Sequence, residues 1–164
     1  MERLILLRHG KAEASAASGD DFDRALTPRG VADSALVART LAQAGLQPDL
    51  VLVSDAARAR QTWEASSAAF PPANVIVLPS LYNAAPEAIL ALVEGHEDEA
   101  GTIMVVAHNP GLFQLSLALA QKVQATPADR AALNAGLPTA AASVIDLPGQ
   151  SFRLFTPRAL GGGA

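Results

Sequence analysis

The chain has no cysteine among its 164 residues, so disulfide bonds, thiolate nucleophiles and cysteine-ligated metals are excluded. Aromatic residues are scarce at 4%, and the many alanines indicate helices packed closely on a sheet. With a net charge of −4 and interspersed acids and bases, the chain lacks the basic stripe of nucleic-acid binders. The apolar run at residues 4–7 is too short for a signal peptide or a membrane span. We therefore expect a cytoplasmic protein that binds neither nucleic acid nor membrane.

Apolar runs typical of strands alternate with helical patterns along the chain. Strands are predicted at residues 4–7, 50–53, 75–78, 103–107, 143–147 and 152–155, and helices at residues 28–45, 55–69, 86–95 and 110–121. This alternation predicts an α/β fold with a mostly parallel central sheet flanked by helices on both faces. The last two strands are expected to form a C-terminal hairpin.

The length of the chain fits one domain, which we predict over residues 1–160, with residues 161–164 as a flexible tail. Residues 11–25 are predicted to form a long loop, and loops of this length inside a compact domain are often functional. The acidic run at residues 20–23 is expected to lie in solvent within that loop.

Three predicted helices have a polar residue directly before them, at Thr27, Ser54 and Asn109. Side-chain oxygens at such positions accept hydrogen bonds from the free N–H groups of the first turn. We therefore expect each of the three to be an N-cap, with Pro28 and Pro110 in the first turn of their helices.

Two of the three histidines in the chain follow predicted strands. His9 stands between Arg8 and Gly10 after the first strand, and His108 follows the fourth strand. In an open α/β sheet the ligand crevice lies outside the carboxyl ends of the strands. Both histidines are therefore expected at one rim of the sheet, as parts of a reaction centre.

Two arginines are predicted at the same rim. The planar guanidinium of Arg8 can bind a phosphate with two hydrogen bonds, and Arg58 falls in the first turn of a helix, where free N–H groups also favour anions. Of the carboxylates, only Asp55 stands at these strand ends. Because the arginines would repel a cation, the pattern favours a dianionic oxyanion over a metal ion.

Four motifs occur in one order along the chain: Arg8-His9-Gly10, Leu26-Thr27-Pro28-Arg29-Gly30, the block at residues 54–62, and His108-Asn109-Pro110. In these motifs the chain resembles the histidine phosphatase superfamily, also called the phosphoglycerate-mutase-like fold. The short length and Asp23-Arg24 before the second motif make it most similar to the SixA-type phosphohistidine phosphatases.

The resemblance implies a catalytic role for four residues. His9 would be the nucleophile that becomes transiently phosphorylated, before water releases inorganic phosphate. Arg8, Arg58 and His108 would hold the phosphoryl oxygens and stabilise the charge that develops on them. His9 must be neutral to attack, and the nearby arginines disfavour its protonated form. The resemblance implies no cofactor and no metal.

The chain departs from many relatives in the general acid. Mutase-like members carry a glutamate where this chain has Asn83, and the acid-phosphatase branch carries an aspartate where it has Asn109. An alkoxide leaving group needs a proton, whereas imidazole titrates near a pKa of about 6.5 and can leave neutral. The missing acids therefore favour phosphohistidine on a protein as the substrate, although Glu13 and residues 20–23 remain candidates for a carboxylate from the loop.

Two other functions stay open at this point. The first is a small-molecule phosphomonoesterase on the same scaffold, which acts on a sugar phosphate or a nucleotide. The second is a catalytically idle module that binds phosphorylated partners, although the intact pairs of histidines and arginines favour an enzyme.

Overall fold

Seven strands form one sheet in residues 1–163, the part of the chain that the computed structural model describes. They are β1 (Arg3–Arg8), β2 (Leu50–Ser54), β3 (Asn74–Leu78), β4 (Thr102–Ala107), β5 (Gln124–Ala125), β6 (Ala142–Asp146) and β7 (Ser151–Phe155). The order across the sheet is β3-β2-β4-β1-β6-β7-β5. Pairings among β1, β2, β3 and β4 are parallel, and β6 runs antiparallel to both β1 and β7. The mostly parallel sheet and the C-terminal hairpin are thus confirmed.

Helices cover both faces of this sheet, as predicted. They are α1 (Pro28–Gln43), α2 (Ala57–Ser67), α3 (Pro86–Glu94), α4 (Gly111–Ala120) and α5 (Pro127–Ala135). Alternate residues of β1 serve the two faces: Ile5 and Leu7 pack under α1 and α2, whereas Leu4 and Leu6 pack under α3, α4 and α5. Burial on both faces explains why the strands β1, β2 and β4 consist of nearly continuous apolar residues.

Of the three predicted caps, only Thr27 is confirmed. Its Oγ1 accepts a hydrogen bond from the N–H of Gly30 at 3.0 Å. The predicted caps Ser54 and Asn109 are wrong, because α2 begins at Ala57 and α4 at Gly111, and neither helix has a side-chain cap. Ser54 and Asn109 instead make contacts near the two histidines, which sequence proximity to a helix does not reveal.

Helix α5 and the short strand β5 are absent from the elements predicted from the sequence. Thr126 caps α5 by accepting a hydrogen bond from the N–H of Asp129 at 3.0 Å, and Pro127 occupies its first turn. This is the same Thr-Pro signal that marks the start of α1. The predicted loop at residues 11–25 is also partly ordered, because Ala12 bridges Leu26 and a 3₁₀ turn forms at Asp21–Asp23.

The last described residues pack on the domain. The N–H of Gly163 donates to Oδ1 of Asp33 at 3.1 Å, and the N–H of Gly162 donates to the Pro157 carbonyl at 2.8 Å. The predicted flexible tail includes Ala164, which lies outside the described residues. Within residues 1–163, no helix is both long and apolar enough to cross a membrane.

Candidate active site

The sheet register brings the three predicted strand ends level. Arg8 at the end of β1 pairs with Ala107 at the end of β4, and Val53 near the end of β2 pairs with Val106. His9 and His108 directly follow the first pair. Their ring centroids lie 5.2 Å apart, and both side chains are buried. The structure thus brings the two predicted histidines together at one rim.

The His9 ring is held in one orientation by its own neighbour. Nδ1 lies 2.7 Å from the carbonyl oxygen of Gly10. Because a carbonyl oxygen can only accept, Nδ1 carries the ring proton and donates it to Gly10. This leaves Nε2 with a free electron pair, which is the state that a nucleophile requires.

The His9 ring is also kept neutral. Burial is the main reason why the pKa of His9 is lowered to about 4. The positive charges of Arg8, Arg58 and Arg24 lower this pKa as well, whereas the hydrogen bond to Gly10 opposes them. The expected effect of the arginines is therefore present, but loss of hydration contributes more.

His108 receives its orientation from Ser54 on β2. Nε2 of His108 lies 2.7 Å from Oγ of Ser54, and that oxygen also accepts the N–H of Ala56 at 3.4 Å. The Ser54 hydroxyl can donate to Nε2, and in that arrangement the ring proton of His108 is on Nδ1. Burial lowers the pKa of His108 to about 3, so the ring is neutral. Nδ1 is buried without a protein partner and is suited to donate to an oxyanion.

The two predicted arginines lie at the same rim and are close enough to influence each other. Burial, followed by the charge of Arg58, lowers the pKa of Arg8. Nη1 of Arg8 donates to the carbonyl of Leu137 at 2.9 Å. Nη1 and Nη2 of Arg58 donate to the backbone oxygen and to Oδ2 of Asp21, at 2.8 and 3.1 Å. The Nε atoms of both arginines are buried and have no protein partner.

Gly10 holds the nucleophile loop against its neighbours. Its N–H donates to Oγ1 of Thr62 at 2.9 Å, and the Thr62 hydroxyl donates to the Arg58 carbonyl at 2.7 Å. A Cβ on Gly10 would lie 2.5 Å from the carbonyl oxygen of Gly30 and 2.7 Å from Oγ of Ser34. The glycine of the first motif is therefore required by the close approach of β1 to α1.

Two further residues lie in the site. Asp21 belongs to the run at residues 20–23, which is predicted to be solvated and remains a candidate source of a carboxylate, whereas Tyr82 is not predicted from the sequence. In the structure the Tyr82 hydroxyl donates to Oδ2 of Asp21 at 2.6 Å, and the Tyr82 ring packs edge-on against His108 with centroids 5.6 Å apart. The length of the loop and its aspartates were the signal that pointed to Asp21, but no pattern pointed to Tyr82.

Asp21 is held in its charged form. Its Oδ1 accepts from Nε of Arg24 at 2.8 Å, while Oδ2 accepts from Tyr82 and Arg58. These hydrogen bonds, that of Tyr82 foremost, hold the pKa of Asp21 far below its usual range. The same contact raises the pKa of Tyr82. Neither group is therefore suited to release a proton at neutral pH.

The other positions considered for a general acid are Glu13, Asn83 and Asn109, of which the last two are amides. The side chains of Glu13 and Asn83 are exposed, and Nδ2 of Asn109 donates to the Leu137 carbonyl at 2.9 Å. Within residues 1–163, no group of three or more His, Asp or Glu side chains is arranged to hold a metal ion. What the site offers is one nucleophilic nitrogen beside several N–H donors, an arrangement suited to a phosphoryl group.

A groove adjoins this site at Arg8, although neither histidine lines it. Its cavity has a volume of about 640 Å³ and is lined by Arg8 and Asn109, the residues next to the two histidines in the sequence. Leu137 and Phe113 supply apolar surface, and the lining also contains Arg29, Asp33 and Arg158. The groove is therefore large enough for a ligand well beyond a phosphate ion.

Residues 4–85 match the family described as "Histidine phosphatase superfamily (branch 1)". An uncharacterized chloroplastic protein of Arabidopsis thaliana is 38% identical over 119 residues, which are 66% of this chain and 55% of that protein. The chain thus spans about half the length of this plant relative. The fold also matches that of a Plasmodium falciparum phosphoglycerate mutase, with a TM-score of 0.58 at 20% identity over 93% of this chain and 87% of that chain.

Two solved structures are closer to this chain. The candidate phosphohistidine phosphatase SixA of Agrobacterium tumefaciens has a TM-score of 0.81 at 35% identity, over 94% of this chain and 95% of that chain. The protein histidine phosphatase SixA in complex with tungstate has a TM-score of 0.74 at 26% identity, over 96% of this chain and 99% of that chain. With these matches and the arrangement of Arg8, His9, Arg58 and His108, the chain belongs to the histidine phosphatase superfamily and is of the SixA type.

Proposed function

We propose that this protein is a phosphatase that works without a metal ion, through a phosphohistidine intermediate on His9, and that it dephosphorylates phosphohistidine on a protein. The observation that carries the proposal is the free electron pair on Nε2 of His9 beside unpartnered N–H groups of Arg8, Arg58 and His108. The tungstate bound by a similar SixA protein supports it, because tungstate is a tetrahedral oxyanion like phosphate.

In the first step Nε2 of His9 attacks phosphorus, and the bond from phosphorus to the leaving group breaks. Arg8, Arg58 and Nδ1–H of His108 donate hydrogen bonds to the phosphoryl oxygens. The hydrogen bond from Nδ1 to Gly10 supports the positive charge that the His9 ring gains as it becomes phosphorylated. Positioning and charge stabilisation supply most of the catalysis in phosphoryl transfer.

In the second step water attacks the phosphorus of phosphorylated His9. The electron pair of the broken P–N bond returns to Nε2, so the ring becomes neutral and keeps its proton on Nδ1. Water and the phosphoryl group leave together as dihydrogen phosphate. The atoms and charges of this step balance without a further acid or base.

The preference for phosphohistidine follows from the leaving group. An alkyl phosphate releases an alkoxide that needs a proton, and general acid catalysis contributes about 10²–10⁴-fold. Asp21 is ionised, and Asn83 and Asn109, at the positions where the relatives carry an acid, are amides that supply no proton. The imidazole of phosphohistidine leaves neutral once its other nitrogen carries a proton, and therefore needs no such donor.

The groove beside Arg8 supports a protein as the carrier of the phosphoryl group. The cavity of about 640 Å³ adjoins the site at Arg8 and is lined by apolar residues together with Arg29, Arg158 and Asp33. A segment of the partner protein next to its phosphohistidine can occupy this groove, which a free amino acid would leave unfilled.

A rapid-quench experiment tests the proposal. The protein is mixed with a radiolabelled phosphohistidine protein or with p-nitrophenyl phosphate, quenched at alkaline pH to preserve phosphohistidine, and the label is mapped. We expect label on His9 and fast phosphate release from the phosphohistidine protein, and a loss on the order of 10³-fold or more in His9→Ala.

The other outcomes select among the alternatives. Label on His9 from the aryl phosphate alone would keep the mechanism and indicate a small-molecule phosphomonoesterase. No label and no phosphate release from either donor would indicate a module that only binds phosphorylated partners.

A further inference from the structure

Asp21 and Tyr82 form one side of the mouth of the site. The side chain of Asp21 is 52% exposed, although its carboxylate contacts Arg58, which is only 5% exposed. Tyr82 lies between this carboxylate and the ring of His108. The aromatic ring of Phe22 packs edge-on against Tyr82 with centroids 5.2 Å apart, which fixes the turn that carries Asp21.

This side of the mouth presents hydrogen-bond acceptors. The Tyr82 proton is directed at Oδ2 of Asp21, so the phenol oxygen has only electron pairs left for a ligand. The Asp21 carboxylate is itself an acceptor with further electron pairs, and its side chain opens to solvent. A group that leaves past these two residues meets their acceptors, because the N–H groups of Arg58 and Arg24 that reach this point are directed at Asp21 itself.

We propose that Asp21, supported by Tyr82, is the specificity-determining residue that accepts the ring N–H of the leaving imidazole. The assignment rests on the function proposed above and names the group that distinguishes phosphohistidine from phosphate esters. A carboxylate beside a phosphoryl site repels the dianion that the site must bind. Binding the leaving imidazole is a role for Asp21 that offsets this repulsion, in addition to orienting Arg58.

The chemical step explains why an acceptor is needed there. Before cleavage, one ring nitrogen of the substrate is bonded to phosphorus and the other carries a proton, so the ring is cationic. When His9 attacks, the P–N bond breaks and its electron pair moves to the ring nitrogen. The imidazole leaves neutral and keeps its proton. A carboxylate bonded to that N–H stabilises the cationic ring of the substrate and so keeps it in the form that can leave.

An alkyl or aryl phosphate gains nothing from this carboxylate. Its leaving oxygen carries negative charge in the transition state, and Asp21 offers it no proton. The same residue therefore favours one class of leaving group and gives the other no help, which a merely structural carboxylate would not do.

The test compares Asp21→Asn with the wild-type chain on two substrates, a phosphohistidine peptide and p-nitrophenyl phosphate, whose leaving group needs no proton. Asparagine keeps the size of the side chain and removes its charge. We expect kcat/KM for the phosphohistidine peptide to fall about tenfold or more, whereas that for the aryl phosphate changes less than about threefold. Tyr82→Phe is expected to lower kcat/KM for the phosphohistidine peptide as Asp21→Asn does, but by a smaller factor, and again to affect the aryl phosphate less.

Asp23→Asn is the matched control, because Asp23 lies in the same turn, is exposed and bonds only to Ser18. Asp23→Asn should leave kcat/KM unchanged for both substrates. An equal loss on both substrates in Asp21→Asn would overturn the assignment, since Asp21 would then only orient Arg58. A wild-type chain that hydrolyses the aryl phosphate but not the phosphohistidine peptide would overturn the proposed substrate, and the role of Asp21 with it.

Discussion

The hydroxyl of Ser54 lies 2.7 Å from Nε2 of His108, and when it donates to this nitrogen the ring proton of His108 is on Nδ1, where a ligand can accept it. Ser54 ends β2, whereas His108 follows β4, so two neighbouring parallel strands bring these two side chains together. The tautomer of the nucleophile His9 depends on the backbone, because the carbonyl of Gly10 holds the proton on Nδ1 of that ring. One ring thus offers an electron pair and the other an N–H group.

Replacing Ser54 with alanine should weaken the reaction through His108. Without the hydroxyl, His108 is free to carry its proton on Nε2, and Nδ1 can then no longer donate to the phosphoryl group. We expect kcat/KM to fall roughly 3- to 10-fold for every substrate, the equivalent of one ordinary hydrogen bond. Steady-state kinetics measure this, with Ser67→Ala as the control, because Ser67 bonds only to the Glu64 carbonyl within α2. An unchanged kcat/KM in Ser54→Ala would contradict the tautomer assigned to His108.

Replacing Gly10 with alanine should destabilise the fold. The added Cβ would lie 2.5 Å from the carbonyl oxygen of Gly30, and neither backbone segment can retreat without moving β1 or α1. Overpacking of this kind costs roughly 1–3 kcal/mol in the free energy of unfolding, which urea titration measures. Gly95→Ala is the control, because its Cβ would have its nearest neighbour at 3.4 Å and its φ is −63°. Equal stability of both variants would show that the Gly10 contact relaxes at no cost.

The free energy of unfolding should fall as the pH is lowered from about 6.5. The pKa of His9 is about 4 and that of His108 about 3 in the folded protein, both below the ordinary value of 6.5. Between these values the unfolded chain binds protons that the folded chain does not, so acid favours unfolding. The stabilisation is complete above pH 6.5 and is lost on acidification, with a slope of up to about 1.4 kcal/mol per pH unit for each histidine.

Urea titrations at several pH values between 7 and 5 measure this slope, and His9→Asn should reduce it by about half. Asp21 does not interfere, because its pKa lies below the ordinary value of 3.8 and its contribution is lost only in stronger acid. A slope that is the same in the wild-type chain and in His9→Asn would show that His9 titrates alike in both states.

Reversing a charge in the groove should affect a protein substrate more than a small one. Arg158 is exposed and lines the groove, so Arg158→Glu reverses a charge on the surface where the partner segment is proposed to lie. We expect kcat/KM for the phosphohistidine protein to fall roughly 3- to 10-fold, with less effect at high salt, and no change for a phosphohistidine peptide of a few residues. Arg130→Glu, on the exposed surface of α5 outside the groove, is the control. A loss that is equal for protein and peptide would exclude the groove as the docking surface.

The sequence by itself determined the architecture and the main residues of the site. Continuous apolar runs such as residues 4–7 are buried on both faces, and only a parallel sheet between two layers of helices gives them that environment. In such a sheet the residues that follow neighbouring strands meet at one edge. For this reason the placement of His9 and His108 could be predicted without knowing a single distance.

Only the tertiary structure decided what lies beside the histidines. Ser54 and Asn109 have the side chains of helix caps, yet their partners are His108 and the Leu137 carbonyl, which are far away in sequence. Asp21 reaches Arg58 across 37 residues and Tyr82 across 61. Local patterns report the preferences of a residue for nearby backbone, whereas hydrogen bonds between distant segments depend on how the loops pack. The charge state of Asp21, and with it the proposed choice of leaving group, is set by those long-range contacts.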